Sequence, residues 1–182
     1  KWLQDGVFNN FMDQILNLGW TNVKFVGAKG DGETNDYEAL QAAIDRNPSN
    51  MIVFPKGDYM IDKPLVTKYE NTQIMFLDGA TLHVTTNKSC FDVYHNGFKI
   101  TNANLNGNGI RPDTPYDGNA IKLNGVSNCL IEDCVLTNFG GHIVFVSWYD
   151  KDGVRISSHD NTIRNNRIYG GLVTCCDRHP DS

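Results

Sequence analysis

The sequence predicts an all-β fold, a parallel β-helix in which each coil contributes three short strands. From residue 71 onward, a wide pair of apolar residues five positions apart recurs four times, with first members 23, 31 and 32 residues apart. A narrow pair with the two-residue period of a β-strand occurs three times in the same segment. Recurrence of one short unit is typical of solenoid folds, in which each coil contacts only its neighbours. The wide pairs are Leu77/Leu82, Ile100/Leu105, Ile131/Leu136 and Ile163/Ile168, and the narrow pairs are Phe91/Val93, Ile121/Leu123 and Val144/Val146.

The corners of the predicted coils are marked by residues that tolerate a left-handed backbone. Two positions after each wide pair begins, the chain has Gly79, Asn102, Asp133 or Asn165, and these residue types are enriched at positive φ. Turn dipeptides of hairpins and crossover helices are both missing from the repeat, so the strands are predicted to stack in parallel. We expect the first members of the wide pairs, Leu77 included, to form one inward stack, and the second members to form another.

The chain divides into three predicted segments. Residues 1–20 carry a stripe of apolar residues at 7–18 with helical spacing, which predicts a packing or connector helix. Residues 21–70 predict an N-terminal cap of the β-helix. Residues 71–182 hold the coils, and because the repeat is still running at the last residues we expect the β-helix to be incomplete at its C-terminal end.

The predicted cap begins with a strand at 23–26 and a glycine-rich turn at 27–32. The turn lacks the Gly-Lys-Ser/Thr ending and the GxGxxG spacing of nucleotide-binding loops, so its glycines indicate a tight turn. A helix at 36–46 follows, with Asn35 or Asp36 available to cap its free N–H groups. A buried strand at 51–54, a turn at 55–59 and a strand that starts at 60–61 complete this segment.

Composition excludes several classes of protein. Hydrophobic residues make up 40% of the 182 residues, enough for a folded core, and the net charge of -5 argues against a nucleic-acid partner. No apolar run approaches the length of a membrane span. Cys90, Cys129 and Cys134 are interpreted as reduced core thiols, and no cofactor or metal is expected. Glu132 and Arg164 fall at equivalent outward positions of adjacent coils, which predicts a surface ion pair.

Three stretches together resemble the pectate-lyase-like superfamily. Residues 23–32, with Asn35-Asp36 and residues 39–44, closely resemble its opening motif, and Phe54-Pro55-Lys56-Gly57-Asp58-Tyr59 is similar to the element that follows it there. Residues 128–134 are similar to the coil consensus of that superfamily. The resemblance spans about residues 21–175 and implies a right-handed parallel β-helix capped at its N-terminus by the 36–46 helix. The superfamily includes polysaccharide lyases, hydrolases and epimerases as well as phage tailspikes and pre-neck appendages. The resemblance therefore implies the fold of this chain and leaves its activity open.

Two segments longer than the repeat, 106–119 and 147–160, hold the candidate site residues. Glycoside cleavage uses one carboxyl group to protonate the leaving oxygen and a second as base or nucleophile. Aromatic rings supply large, rigid contact area for sugar faces. The candidate catalytic residues are Asp113, Asp117 and Asp150. The candidate substrate-binding residues are Trp148, Tyr149, Tyr116 and Arg155. Both segments are also compatible with ordinary solvated insertions.

Two classes of function therefore stay open, with a third behind them. The first is a phage tail appendage or tailspike, a homotrimer on the virion, which contacts other tail proteins and recognises a bacterial surface polysaccharide or teichoic acid, with or without depolymerising it. The second is a secreted polysaccharide lyase, glycoside hydrolase or epimerase. Gly140-Gly141-His142 stands where polygalacturonase-type hydrolases would carry paired aspartates, which counts against that subfamily. The third class is a structural β-helix without catalysis.

Overall fold

A computed structural model describes residues 19–46, 51–114 and 116–175. Within these ranges the chain forms one α-helix, α1 (Tyr37–Asp45), one 3-10 helix (Val23–Val26) and nineteen short strands. The strands are β1 (Trp20–Asn22), β2 (Asp31–Asn35), β3 (Met51–Phe54), β4 (Gly57–Ile61), β5 (Leu65–Val66), β6 (Gln73–Phe76), β7 (Ala80–Val84), β8 (Phe91–Val93), β9 (Lys99–Thr101), β10 (Asn104–Asn106), β11 (Ile121–Asn124), β12 (Leu130–Glu132), β13 (Val135–Thr137), β14 (Val144–Ser147), β15 (Tyr149–Lys151), β16 (Val154–Ile156), β17 (Thr162–Arg164), β18 (Arg167–Tyr169) and β19 (Val173–Cys175).

Seventeen of the strands assemble into three parallel sheets that together form a right-handed β-helix, as predicted, while β15 and β16 form a separate antiparallel hairpin. The first sheet has the order β1-β3-β6-β9-β12-β17, the second β2-β4-β7-β10-β13-β18, and the third β5-β8-β11-β14-β19. Within each sheet, a strand therefore pairs with its counterpart in the next turn. The described part of the solenoid has about six turns, two more than the four copies of the apolar repeat predict. The additional turns lie before residue 71, where intervening helical segments disrupt the regular spacing.

The core is made of apolar side chains stacked from turn to turn. Ile100, Ile131 and Ile163 are register partners in the first sheet, and Leu82, Leu105, Leu136 and Ile168 are register partners in the second, as predicted. The placement of Leu77 is wrong: Ile74 pairs with Ile100, and Leu77 is 45% exposed. Leu77 lies beyond the end of β6, because in this turn the inward residues Ile74 and Leu82 are eight positions apart, three more than in the later turns. Those later corners are as expected, since Asn102, Asp133 and Asn165 all have φ between 55° and 57°.

Asparagine side chains hold the corners of the last turns together. Asn166 accepts a hydrogen bond from the backbone N–H of Cys134 and donates to the carbonyl of Ile131, both at 2.9 Å. Asn161 makes the same pair of bonds to Cys129 and Val126. One amide side chain thus satisfies a donor and an acceptor at a corner where the sheet ladder is interrupted. The coil consensus in the sequence is therefore a hydrogen-bonding pattern as well as an apolar one.

The N-terminal segment differs from its prediction in two elements. Residues 23–26 form a 3-10 helix instead of a strand, and the strand of this turn lies just before it, at Trp20–Asn22. The predicted turn at 55–59 is shorter than expected, because β4 already begins at Gly57. The helix predicted at 7–18 lies outside the described residues. The helix predicted at 36–46 is present, and its apolar face, Leu40, Ala43 and Ile44, is buried.

Asp36 organises the glycine-rich turn instead of capping the helix. Its buried carboxylate accepts hydrogen bonds from the backbone N–H groups of Lys29 (2.6 Å) and Gly30 (3.1 Å), and it makes no cap bond to the helix. The cap bond comes from Asn35, which accepts from the N–H of Tyr37 at 3.1 Å. The glycine-rich turn is thus tied to the start of α1 by the protein's own carboxylate.

The cysteine and ion-pair predictions are confirmed. Cys90, Cys129 and Cys134 are free and buried, and burial raises the pKa of the Cys134 thiol to about 11. Arg164 donates to Glu132 at 2.6 Å between register partners of β17 and β12. This pair is partly exposed, so it adds little to the free energy of unfolding.

Candidate functional site

The outer face of the third sheet carries two rows of side chains that run along the solenoid. Because successive side chains on a strand alternate between core and solvent, the residues between the inward pairs of β8, β11 and β14 face outward. The register places Asp92, Lys122 and Phe145 in one row. Tyr94, directly after β8, adjoins Asn124 and Ser147, which are register partners at the ends of β11 and β14. All of these residues except Asp92 form the base of a groove.

Loops on either side raise walls around this base. The first long segment supplies Tyr116, and the second forms the antiparallel hairpin β15–β16, whose start supplies Trp148, Tyr149 and Asp150. The enclosed space, called the aromatic groove below, has a cavity volume of about 570 Å³, within the usual size range of small-ligand sites. Its lining includes five aromatic rings: Tyr94, Tyr116, Phe145, Trp148 and Tyr149.

The rings of the aromatic groove contact one another and set its shape. Tyr149 meets Tyr94 edge to face, with ring centroids 5.2 Å apart, and Tyr116 lies 5.9 Å from Phe145. Phe145 is buried, while Tyr94, Tyr116 and Tyr149 are between 38% and 57% exposed. Exposed rings over a buried one provide the combination of flat apolar surface and polar edge that sugar rings pack against.

The structure brings five of the seven predicted site residues together. Tyr116, Trp148, Tyr149 and Asp150 line the aromatic groove. Arg155 joins them from the second strand of the hairpin, where its guanidinium lies 4.0 Å from the centroid of Trp148 and its Nε lies 3.6 Å from Asp150. The cation therefore covers one face of Trp148 and fixes that ring in place.

The other two predicted residues lie outside the aromatic groove. Asp117 is half-buried and accepts a 2.9 Å charged hydrogen bond from Lys88. Asp113 is exposed, accepts a 3.3 Å bond from Asn87, and lines a separate cavity of about 430 Å³ beside His142. The structure thus does not place Asp113 in one groove with Asp150.

Asp92 is the residue that the sequence reasoning missed. Its side chain faces outward from β8 beside Lys122, yet its Oδ1 atom is buried and has no hydrogen-bond partner among the described residues. Burial raises the pKa of this carboxyl group, and the negative charge of Asp117 adds to the rise, while Lys122 and Lys88 oppose it. A carboxyl group that retains its proton to higher pH than usual is suited to donating one. The only signal in the sequence is an acid between two inward residues, Phe91 and Val93.

Asp92 and Asp117 have different electrostatic surroundings. Asp92 is desolvated, whereas Asp117 is paired with a lysine. Burial also raises the pKa of Tyr94, with a contribution from Asp92. Asp92 is the register partner of Lys122, which lines the aromatic groove.

These features define a pectate-lyase-like β-helix protein with a candidate carbohydrate groove on its third sheet. The profile of the family described as rhamnogalacturonase A/epimerase, pectate lyase-like matches residues 20–135. The chain belongs to this family. The match includes the cap and most of the groove base but ends before the hairpin.

Similar proteins include polysaccharide-degrading enzymes, phage proteins, fungal LysM effectors and a surface adhesin of Streptococcus pneumoniae. A probable glucan endo-1,3-beta-glucosidase of Arthroderma benhamiae is 41% identical over 59 residues, which cover 30% of this chain and 7% of that protein. An iota-carrageenase solved with iota-carrageenan fragments has a TM-score of 0.70 at 18% identity, with 84% of this chain and 37% of the enzyme aligned. An N-terminal fragment of gene product 12 of bacteriophage phi29 has a TM-score of 0.69 at 20% identity, with 80% of this chain and 26% of that fragment aligned.

This chain covers only a small part of each similar protein. The chain spans 5–7% of the length of the curated relatives that it matches. It spans 26–37% of three solved proteins: a Geobacillus virus E2 protein, the iota-carrageenase and the phi29 fragment. At 18–20% identity the solved structures establish the shared fold. Among the residues that the structure describes, no helix combines the length and apolar character needed to cross a bilayer.

Proposed function

We propose that the chain binds a linear glycan in the aromatic groove. The observation that carries this proposal is the cluster of exposed rings, Tyr94, Tyr116 and Tyr149, over the buried Phe145, with Trp148 fixed by Arg155 at one end. Preformed aromatic surfaces bind with little loss of side-chain entropy, so the rings contribute most of the affinity. Lys122, Asn124 and Asp150 supply polar contacts to sugar hydroxyl groups.

The biological setting that we propose is a phage tail spike or appendage that binds a surface polysaccharide or teichoic acid of the bacterial host. The similarity to proteins of bacteriophage phi29 and Geobacillus virus E2 supports this setting. In it the chain acts as a homotrimer attached to other virion proteins. The alternative is a secreted polysaccharide-modifying enzyme, which the similarity to an iota-carrageenase favours.

An affinity experiment tests glycan binding. The parent protein and two tryptophan variants are run in native gels that contain laminarin, iota-carrageenan, polygalacturonate or wall teichoic acid. We expect retardation by at least one polymer, and a loss of about 30-fold in affinity for Trp148→Ala, as for an aromatic hot-spot residue of an interface. Trp20→Ala is the matched control, because Trp20 is half-exposed on β1 and lies outside the aromatic groove. Absence of binding to every polymer, or equal loss in both variants, would contradict the proposal.

Cleavage of the bound glycan is the second candidate function, and Asp92 favours it. In this proposal Asp92, the register partner of the groove residue Lys122, protonates the leaving oxygen, and Asp150, which lines the aromatic groove, acts as the base or nucleophile. Release of reducing ends by Asp92→Asn and Asp150→Asn is compared with release by the parent. We expect both variants to lose activity by about 100-fold or more while binding is kept, because a carboxyl group acts mainly on the transition state.

Asp113→Asn serves as the control for the cleavage experiment. Its carboxylate lies in the neighbouring cavity beside His142, so we expect its activity to equal that of the parent. Loss of activity in Asp113→Asn alone would move the reacting bond to that cavity and contradict the assignment of Asp92.

A further inference from the structure

A second groove lies on the other side of the Tyr94–Tyr149 contact. It has a cavity volume of about 440 Å³ and is called the polar groove below. It shares Tyr94, Asn124 and Tyr149 with the aromatic groove. The two spaces are therefore adjacent and separated by one pair of rings.

The polar groove continues in the direction of the strands. The aromatic groove begins at Lys122 and Phe145 in the middle of β11 and β14. The polar groove begins where those strands end, at Asn124, and extends over Gly125 and Ser127 into the turn that follows. The hairpin forms its outer wall through Tyr149, Lys151 and Ile156. A chain that lies in the aromatic groove along the strand direction thus leads into the polar groove beneath the hairpin.

The chemistry of the polar groove differs from that of the aromatic groove. Its side chains beyond the shared ones are mostly hydrogen-bonding groups: Glu70, His95, Asn96, Ser127, Lys151 and His159. Positive, negative and neutral groups are mixed, and Lys151 and His159 are exposed. Such a lining matches the many hydroxyl groups of a saccharide and offers little flat apolar surface for stacking.

We propose that the polar groove is a second set of saccharide subsites, and that a linear glycan runs from the aromatic groove past the Tyr94–Tyr149 contact into it. This inference rests on the proposed function and extends it to the length and path of the ligand. The aromatic groove anchors the chain through its rings, and the polar groove reads the hydroxyl groups of the following sugars. The site therefore recognises an oligosaccharide of several units and discriminates against a disaccharide.

The supporting contact at the base of the hairpin keeps the two grooves continuous. Gly125 has φ of 58°, and an added Cβ would lie 2.7 Å from the carbonyl oxygen of Ile156 and 2.9 Å from the Cβ of Tyr149. Only a residue without a side chain lets the hairpin approach the sheet this closely. The wall of the polar groove is thus held at its observed distance by backbone contact.

Ligand length separates this inference from the proposed function. Isothermal titration calorimetry compares oligosaccharides of two and six units, prepared from whichever polymer retards the parent in the native gels. We expect Lys151→Ala and His159→Ala each to weaken hexamer binding about tenfold, since each removes a hydrogen-bonding group from the polar groove. Dimer binding should be unchanged in both variants. Lys99→Ala is the matched control, an exposed lysine on β9 in the first sheet. Trp148→Ala is expected to weaken both ligands.

Two results would overturn the inference, and they are distinguishable. If Trp148→Ala weakens both ligands while Lys151→Ala and His159→Ala bind the hexamer like the parent, the aromatic groove binds glycan alone and the proposed function stands. If neither ligand binds the parent, the proposed function fails and this inference fails with it.

Discussion

Replacement of Ile131 by alanine tests the stacking of the coils most sharply. Ile131 is fully buried between Ile100 and Ile163 of the adjacent turns. The substitution removes three carbon atoms, and at about 0.8 kcal/mol for each buried methylene the transfer cost alone is about 2.4 kcal/mol. A cavity adds to that cost because stacked strands on both sides prevent collapse, so we expect a loss of about 3–5 kcal/mol in the free energy of unfolding.

Leu77 provides the control for this experiment. It was the expected member of the same stack, but it is 45% exposed at the corner after β6. Leu77→Ala should therefore cost only about 0.5 kcal/mol, as surface substitutions usually do. Urea unfolding followed by far-ultraviolet circular dichroism measures both variants. A loss in Leu77→Ala equal to that in Ile131→Ala would refute the register described above.

Three further predictions concern a corner, a carboxyl group and the hairpin. Asn166→Ala should lower the free energy of unfolding by about 1–3 kcal/mol, because it leaves two backbone groups unpaired, as measured by urea unfolding. Burial raises the pKa of Asp92 in the folded protein. Ionisation of this carboxyl group therefore costs free energy of folding, and stability falls as the pH rises above its pKa in the unfolded chain, about 3.9. Asp92→Asn should therefore be more stable than the parent near pH 7, with the difference shrinking toward pH 3; lower stability near pH 7 would contradict this. Gly125→Ala should weaken glycan binding more than Gly170→Ala, as measured by titration calorimetry. Both glycines have a positive φ, but only at Gly125 would an added Cβ contact the hairpin.

The repeat was predictable from the sequence where its spacing is regular. Ile100, Ile131 and Ile163 each lie five residues before the second inward residue of the same coil. This constant spacing is enough to align the three later coils. In the turn before them the corresponding residue, Ile74, precedes Leu82 by eight, and the five-residue rule selected Leu77 instead. Local spacing therefore identifies a coil only when the corner keeps its length. Apolar residues at a long corner satisfy the same pattern without entering the core.

The candidate site was only partly predictable, for a physical reason. The loops that carry Trp148 and Tyr149 are recognisable because they exceed the repeat, but no periodicity relates one loop to the other. Asp113 and Asp117 lie four residues apart in the same loop, yet they face different neighbours, Asn87 and Lys88. The burial of Asp92 arises from residues about thirty positions away that the winding of the solenoid brings beside it. Such environments depend on the assembled turns.

Hydrogen–deuterium exchange of the glycan-bound protein tests the location of the site most directly. The hairpin, residues 149–156, lines both grooves, and the loop 106–119 contributes Tyr116 to the aromatic groove. We therefore predict slower amide exchange in these two segments when the polymer that retards the parent in native gels is added. The strand β7 (Ala80–Val84) of the second sheet lies on another face and should exchange as in the free protein. Slower exchange confined to the second sheet, with the hairpin unchanged, would contradict the assignment of the glycan site to the third sheet.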